Sequence, residues 1–209
     1  MNNKYPIAFA RGLSLLVLWL ALASATVARA APETVVERLH GALIQSMRAG
    51  AAAGYDGRAR QLRPVLEQTF DFPYIARLVV GKHAAGLDAK SIAELAKLLA
   101  DLSEVSYADN FRHFEGQEFV VREDKEAKRG RRLVRTVLRE DGRDKVTFDY
   151  LLHSVGGEWR IISVIAQGVS DLALKRSQYP AVIEKEGFDA LRDRLMQQIE
   201  RMRAQARKR

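Results

Sequence analysis

The side chains best placed for acid–base chemistry lie on one short stretch, Asp149-Tyr150 and His153. A carboxylate and an imidazole can act as general base and general acid when both reach the same substrate. The alternation of Val146 and Phe148 with polar residues predicts a strand here. On a strand, Asp149 and His153 point to one face and Tyr150 to the other, so the three cannot form a single triad. We interpret Asp149 as a carboxylate on the solvent face of the strand, with a general base as the alternative.

Other chemical motifs are missing from the sequence. The four histidines, His40, His83, His113 and His153, are scattered without the spacing of metal ligands, so we expect no metal site. The chain has no cysteine, which excludes a thiol nucleophile, a disulfide framework and a lipid-modified cysteine. A Gly-x-Ser-x-Gly elbow and a Gly-rich phosphate loop are also lacking.

The first thirty residues have the pattern of a secretory signal. Lys4 and Arg11 precede an apolar run over residues 13–22, and Ala28-Arg29-Ala30 supplies small residues where a signal peptidase reads. We therefore predict cleavage after Ala30 and export of the mature chain. The alternative is an uncleaved anchor over residues 12–28, at the lower limit of a membrane-spanning length. Residues 31–209 are long enough for one domain with a substantial core.

The positive charge of the chain lies at its two ends. The net charge is +8, but three of the basic residues precede residue 31. Five more lie in the C-terminal tail, residues 201–209, which contains no acid. The body between them is therefore neutral, whereas a nucleic-acid-binding protein would carry its basic excess over the folded surface. We expect no nucleic-acid partner and interpret the tail as a frayed, solvated helix end, with weak attraction to an anionic membrane or partner as the alternative.

Helical spacing of apolar residues dominates the first half of the mature chain. A helix carrying Val36 and Leu43 is followed by a Gly- and Ala-rich linker at residues 49–57 and a second helix over residues 58–70. Asp71 can cap a third helix that ends at Gly81. Asp88, or a capping box from Ser91 to Glu94, begins a longer fourth helix.

The pattern then changes to a period of two, which predicts four strands in an antiparallel meander. Asp141-Gly142 and Gly156-Gly157 predict two of the hairpin turns. The last strand, residues 159–166, ends in a change of direction at Gly168, and Ser170 or Asp171 then opens a helix. Helices lie before and after the strands, so we predict the α+β class, with helices packed on a curved antiparallel sheet.

The last of these strands is apolar on both faces. Trp159, Ile161 and Ile165 alternate with Ile162, Val164 and Ala166. A sheet covered on one side should alternate apolar with polar residues. Burial on both sides in an ordinary core would explain the pattern, and so would a cavity for an apolar ligand.

Several segments together resemble the MlaC family, also called the toluene-tolerance (Ttg2D) proteins. The resemblance spans nearly the whole mature chain, and its most specific segments are Gly-Val-Ser at residues 168–170, Lys-Arg-Ser-Gln-Tyr at 175–179 and Glu-Gly-Phe-Asp-Ala-Leu at 186–191. Within the family, the chain resembles the hopanoid-associated branch, HpnM. One departure is that the family usually has a tryptophan soon after Gly81, where this chain has Lys82-His83-Ala84-Ala85.

The resemblance implies a periplasmic lipid carrier without covalent chemistry or a cofactor. Members of this family enclose a deep apolar pocket for acyl chains and leave the lipid headgroup near the mouth of the pocket. They exchange phospholipid with an inner-membrane ABC transporter that bears an MCE protein and with an outer-membrane lipoprotein complex; for the hopanoid branch the corresponding process is hopanoid export. Burial of acyl chains yields roughly 25 cal/mol per Å² of apolar area removed from water. Two chains therefore give sufficient affinity without a charged residue that holds the headgroup. We expect a monomer.

The residues predicted to contact lipid are apolar or aromatic positions of the predicted helices and strands. They are Phe72, Ile75, Leu78, Val79, Leu102, Tyr107, Phe111, Phe119, Val137, Phe148, Tyr150, Leu152, Ile162, Val164, Val169, Leu172 and Tyr179. A second hypothesis is a small cone-shaped α+β enzyme, an isomerase or dehydratase, that uses Asp149 in an apolar pocket. A third is an adaptor that binds through its basic tail.

Overall fold

The computed structural model describes Met1 and residues 30–209. The predicted signal peptide falls almost entirely on residues 2–29 and so lies outside the described residues. Within the described part, no helix is both long enough and apolar enough to cross a membrane.

The described chain folds into helices, then a meander of strands, then a final bent helix. The elements are α1 (Pro32–Thr69), α2 (Phe72–Val80), a 3₁₀ helix (Gly81–Gly86), α3 (Ala89–Asn110), β1 (Glu118–Ala127), β2 (Arg131–Glu140), β3 (Arg143–Val155), β4 (Glu158–Ala166), β5 (Val169–Ser170) and α4 (Asp171–Ala206). The predicted α+β class is therefore confirmed.

Helix α1 continues through the predicted linker, but it bends there. Gly50 (φ 49°) and Gly54 (φ 60°) adopt non-helical angles inside it. The buried Arg58 holds the bend, since its Nη1 donates to the carbonyl oxygen of Gly50 at 2.8 Å and its Nε to that of Ala108 at 3.1 Å. Ala108 lies in the last turn of α3, where carbonyls lack helical partners and a cation is favourable.

Two predicted helix caps are present. Oδ1 of Asp71 accepts a hydrogen bond from the backbone N–H of Tyr74 at 2.9 Å and begins α2. Oδ1 of Asp88 accepts from the N–H of Ser91 at 2.7 Å and begins α3. Each cap satisfies a backbone donor that the first helical turn leaves free.

The sheet has five strands in the order β1-β2-β3-β4-β5, all antiparallel, whereas the sequence predicts four. The additional strand is the two-residue β5, which pairs Val169 with Ala166. Gln167 and Gly168 form the turn before it with φ values of 52° and 80°. Positive φ at both central residues is what a tight primed hairpin needs.

The apolar character of β4 arises in part from a bulge. Leu151 pairs with Ser163 and Leu152 with Ile161, so Ile162 has no partner on β3. An extra residue of this kind shifts the alternation of faces. As a result Ile161 and Ile162 are both fully buried, while Trp159 and Ile165 are only half-buried. Strict alternation predicts Ile161 on the same face as Ile165. Its pairing with Leu152 places it on the face of Val164 instead, so this prediction was wrong.

Helix α4 folds back on itself at Gly187. This residue has φ 85° and ψ 171°, which no helix contains. Lys175 and Gln198 line one cavity, whereas a straight helix would place them about 35 Å apart at 1.5 Å per residue. The two halves, residues 171–186 and 188–206, therefore turn towards each other and both reach the cavity.

The C-terminal end is not frayed, contrary to expectation. Ala206 is buried. Arg207 Nη2 lies 3.0 Å from Asp56 Oδ1, and Arg209 Nη1 lies 2.7 Å from Asp109 Oδ2. Part of the basic excess of the tail is thus paired with acids of α1 and α3.

Candidate functional site

A cavity of about 350 Å³ lies between the sheet and the helices. Its walls come from the α1–α2 junction, α2, α3, β3, β4, β5 and both halves of α4. The helices pack on one face of the sheet and leave this space at the end nearest β5.

The sheet supplies the apolar wall. Phe148 from β3 and Ile162, Val164 and Ala166 from β4 line the cavity. Phe148 pairs with Ala166 in the register. Because side chains alternate along a strand, these residues share one face of the sheet.

Helix α3 supplies a mixed wall with a periodicity of one helical face. The lining residues recur at intervals of three or four, starting at Leu99 and ending at Asn110 and Phe111. Leu102 and Tyr107 provide apolar surface. The polar members of this face are Ser103, Ser106 and Asn110.

Both halves of α4 complete the enclosure. Asp171, Leu172 and Lys175 come from its first turns, and Gln198 and Met202 from its second half. The hydroxyl oxygen of Ser170 accepts a hydrogen bond from the N–H of Ala173 at 3.2 Å, which fixes the start of the helix as the sequence predicts.

The cavity opens to solvent where α4 begins. Val169 lines the cavity and is nevertheless 57% exposed. The side chain of Asp171 is 69% exposed. Asn110 and Gln198, which also line the cavity, are exposed as well.

Many of the residues predicted to contact lipid lie in the cavity wall. They are Phe72, Ile75, Leu102, Tyr107, Phe111, Phe148, Ile162, Val164, Val169 and Leu172. Their contact with a lipid stays a prediction.

The other predicted residues lie outside the cavity wall. Val79, Leu152 and Tyr179 are buried in the core between the elements, and Leu78 is half-buried on α2. Val137 pairs with Thr147, and alternation turns it to the sheet face opposite Phe148.

The two remaining predicted residues, Phe119 and Tyr150, belong to a small aromatic cluster around His40. Nε2 of His40 lies 3.1 Å from the hydroxyl oxygen of Tyr150, and the His40 ring stacks on Phe119 with centroids 3.9 Å apart. Burial lowers the pKa of His40 to about 3, so the imidazole is neutral near neutral pH. The cluster therefore contributes to the packing of the core between α1 and the sheet.

Sequence reasoning missed the polar side chains of the lining and four of its apolar ones. The missed residues are Phe70, Leu99, Ser103, Ser106, Asn110, Ser163, Ala166, Asp171, Lys175, Gln198 and Met202. The periodic face of α3 was a usable signal, since Ser103 and Ser106 fall on the same stripe as Leu99 and Leu102. Gln198 and Met202 gave no such signal, because only the bend at Gly187 brings them here.

The segment that replaces the family's tryptophan lies away from the cavity. Lys82-His83-Ala84-Ala85 fall within the 3₁₀ helix, and none of them lines the cavity. Lys82 Nζ lies 3.7 Å from Oε1 of Glu184 on α4. This segment therefore contacts the first half of α4 from outside.

Asp149, the candidate base of the enzyme hypothesis, is not part of the cavity wall. Its two carboxylate oxygens accept hydrogen bonds from Nε and Nη2 of Arg135 at 2.7 and 2.9 Å. His153, instead of facing Asp149, lies with Nε2 2.8 Å from Oδ2 of Asp71. Asp149, Tyr150 and His153 thus have separate partners, namely Arg135, His40 and Asp71.

The cavity offers little acid–base chemistry. Burial, with a smaller contribution from the charge of Asp171, raises the pKa of the Tyr107 hydroxyl, which therefore stays neutral. Among residues 30–209, no three His, Cys, Asp or Glu side chains converge as metal ligands. The arrangement is suited to enclosing an apolar group with a polar end at the mouth.

Comparisons with known proteins agree with this geometry. The family pattern described as MlaC protein matches residues 37–197. A solved structure from Ralstonia solanacearum, described as a phospholipid-binding protein in complex with a phospholipid, superposes with a TM-score of 0.70 at 15% identity. That match covers 83% of this chain and 99% of the other. The curated proteins give no match. The family pattern covers most of the chain, which therefore belongs to the MlaC family.

Proposed function

We propose that this protein is a periplasmic lipid carrier that shuttles phospholipid, or a hopanoid, between the inner and outer membranes. Acyl chains enter the cavity and the headgroup stays at the mouth beside α4. The single observation that carries the proposal is the cavity of about 350 Å³, apolar on its sheet side and open to solvent at a polar end.

The lining supports a lipid more than a polar metabolite. Phe148, Ile162 and Val164 give the sheet side of the cavity an apolar wall, and apolar area removed from water contributes roughly 25 cal/mol per Å². The cavity volume is at the small end of the range for ligand pockets. A lipid with two chains therefore requires the walls to move apart on loading.

Membership of the MlaC family and the fold shared with a phospholipid-binding protein support the same proposal. On this basis the partners are an inner-membrane ABC transporter with an MCE protein, or a hopanoid exporter, and an outer-membrane lipoprotein complex. The protein acts as a monomer, without a cofactor and without catalysis.

The experiment is to purify the protein natively, extract it with organic solvent and identify the extracted lipids by mass spectrometry. We expect phospholipid or hopanoid in amounts comparable to the protein. Absence of co-purifying lipid, together with no uptake from added vesicles, would refute the proposal.

A further inference from the structure

Only two charged side chains stand among the described residues that line the cavity, and they form a pair. Lys175 and Asp171 lie one helical turn apart at the start of α4, and Nζ of Lys175 contacts Oδ1 of Asp171. An acid placed four residues before a lysine is the favourable order on a helix.

The two charges lie at different depths. The side chain of Lys175 is only 14% exposed, whereas that of Asp171 is 69% exposed. The more enclosed of the two charges is therefore positive and the more exposed one negative. The remaining polar side chains of the wall, such as Ser103, Ser106 and Gln198, are neutral.

Burial of a lysine in such a wall needs an explanation. A charged side chain with little exposure is costly unless an opposite charge compensates it. Asp171 contacts Lys175 but its side chain is largely exposed, so solvent and salt screen its charge and it compensates Lys175 only in part. An anion that enters from the cavity side would give the ammonium group of Lys175 a second partner of opposite charge.

A zwitterionic phospholipid has the complementary order of charges. Outward from its acyl chains it carries a phosphate and then an ammonium group. The geometry points to selection of this headgroup class, with the phosphate against Lys175 and the ammonium against Asp171. This inference rests on the proposed function and adds a preference among lipids that is based on the charges of the headgroup.

The inference separates three lipids with identical chains. Phosphatidylethanolamine fits both charges, phosphatidylglycerol offers the phosphate without the cation, and diacylglycerol offers neither. Uptake should therefore decrease in that order. A hopanoid without phosphate would share the disadvantage of diacylglycerol.

The test is competitive loading of the purified protein from vesicles that contain equal amounts of the three dioleoyl lipids. The protein is re-isolated and its lipids are quantified by mass spectrometry. In Lys175→Met we expect the ratio of phosphatidylethanolamine to diacylglycerol to fall about tenfold, the value of one charge-assisted hydrogen bond. In Asp171→Asn we expect the ratio of phosphatidylethanolamine to phosphatidylglycerol to fall about threefold, as for an exposed ion pair.

Lys185→Met is the matched control, since Lys185 is exposed on the same half of α4 and does not line the cavity. It should leave both ratios unchanged, and Lys175→Arg should retain the preference for phosphate. Equal ratios in Lys175→Met and Lys185→Met would overturn the inference. So would effective competition by glycerophosphoethanolamine, because the site would then serve a soluble phosphate compound.

The outcomes also distinguish this inference from the proposed function. A wild-type protein that takes up none of the three lipids contradicts the carrier function itself. A protein that takes up all three equally contradicts only the headgroup selection.

Discussion

Nε2 of His153 lies 2.8 Å from Oδ2 of Asp71, so one carboxylate ties strand β3 to the first turn of α2. The other oxygen of Asp71 accepts from the N–H of Tyr74 at 2.9 Å, and the Tyr74 ring lies 4.4 Å from the His153 ring. Phe70 and Phe72, on either side of Asp71, line the cavity. The pair thus fixes the helix that carries part of the site.

Asp71→Ala should lower the free energy of unfolding by about 2 kcal/mol, because it removes both a helix cap and the hydrogen bond to His153. Urea denaturation measures this loss. Asp88→Ala is the matched control, since Asp88 caps α3 without such a tie to the sheet, and its loss should be smaller. Equal losses would show that the contact with His153 contributes nothing.

Stability should fall as the pH is lowered from 6.5 towards 3 because of His40. Burial holds the pKa of this imidazole at about 3 in the folded protein, against 6.5 as its ordinary value. Within that window the unfolded chain binds a proton that the folded chain excludes. Each pH unit then costs at most about 1.4 kcal/mol.

His40→Phe should make this pH dependence shallower by up to one proton, as seen in urea denaturation between pH 7.5 and 4.5. At pH 7.5 the variant should be less stable by about 1–3 kcal/mol, because the buried Tyr150 hydroxyl loses its partner. His113→Phe, at an exposed position, should leave the slope unchanged. An unchanged slope in His40→Phe would contradict the assignment.

Gly187→Ala should destabilise the protein by about 1–3 kcal/mol, because its φ of 85° and ψ of 171° are open essentially to glycine alone. A Cβ there would meet no atom within 4 Å, so the cost is one of backbone conformation. Gly41→Ala is the control: it also meets nothing within 4 Å but lies within regular helix, where alanine should gain about 0.5–1 kcal/mol. Thermal or urea unfolding measures the stability of both variants. An unchanged stability of Gly187→Ala would show that position 187 can adopt a backbone conformation open to alanine.

Local signals account for the part of the fold that the sequence predicts. Helix caps and tight turns depend on residues that are close in the chain, so they can be predicted from the sequence. Examples are the caps Asp71 and Asp88 and the turn at Asp141-Gly142. The bulge at Ile162 is different, since it depends on the register of β4 against β3. Alternation alone therefore assigned Ile161 to the wrong face.

Most, but not all, of the apolar residues of the site could be predicted from the sequence. Phe148, Val164 and Leu172 follow from pattern and family resemblance, whereas Lys175 and Gln198 do not. A polar residue on a half-buried helix face is usually solvated, and nothing local marks one that borders a cavity. The fold-back of α4 brings distant residues to one place, which no spacing in the sequence reveals.

Asp149→Asn tests the enzyme hypothesis, which requires Asp149 to act in the ligand pocket. Asp149 is held by Arg135 away from the cavity, so lipid loading should be unchanged and stability only slightly reduced. Loading is measured as lipid per protein after incubation with vesicles. If the variant instead lost its lipid, Asp149 would have to act on the cavity in a way that its contacts do not indicate.

Val164 and Ile165 are neighbours on β4 that point to opposite faces of the sheet, and they provide the sharpest test of the cavity. Val164 lines it, whereas Ile165 pairs with Asp149 on the other face. Val164→Lys should reduce lipid loading by at least about tenfold, because an ammonium group would occupy the apolar wall.

Ile165→Lys should retain loading, since its charge faces solvent beside the carboxylate of Asp149. Circular dichroism and thermal melts establish that both variants are folded before loading is compared. Equal loading in two folded variants would mean that the acyl chains do not lie against β4. A loss confined to Val164→Lys would place them on the face that also carries Phe148 and Ile162, opposite the ion pair of Asp149 and Arg135.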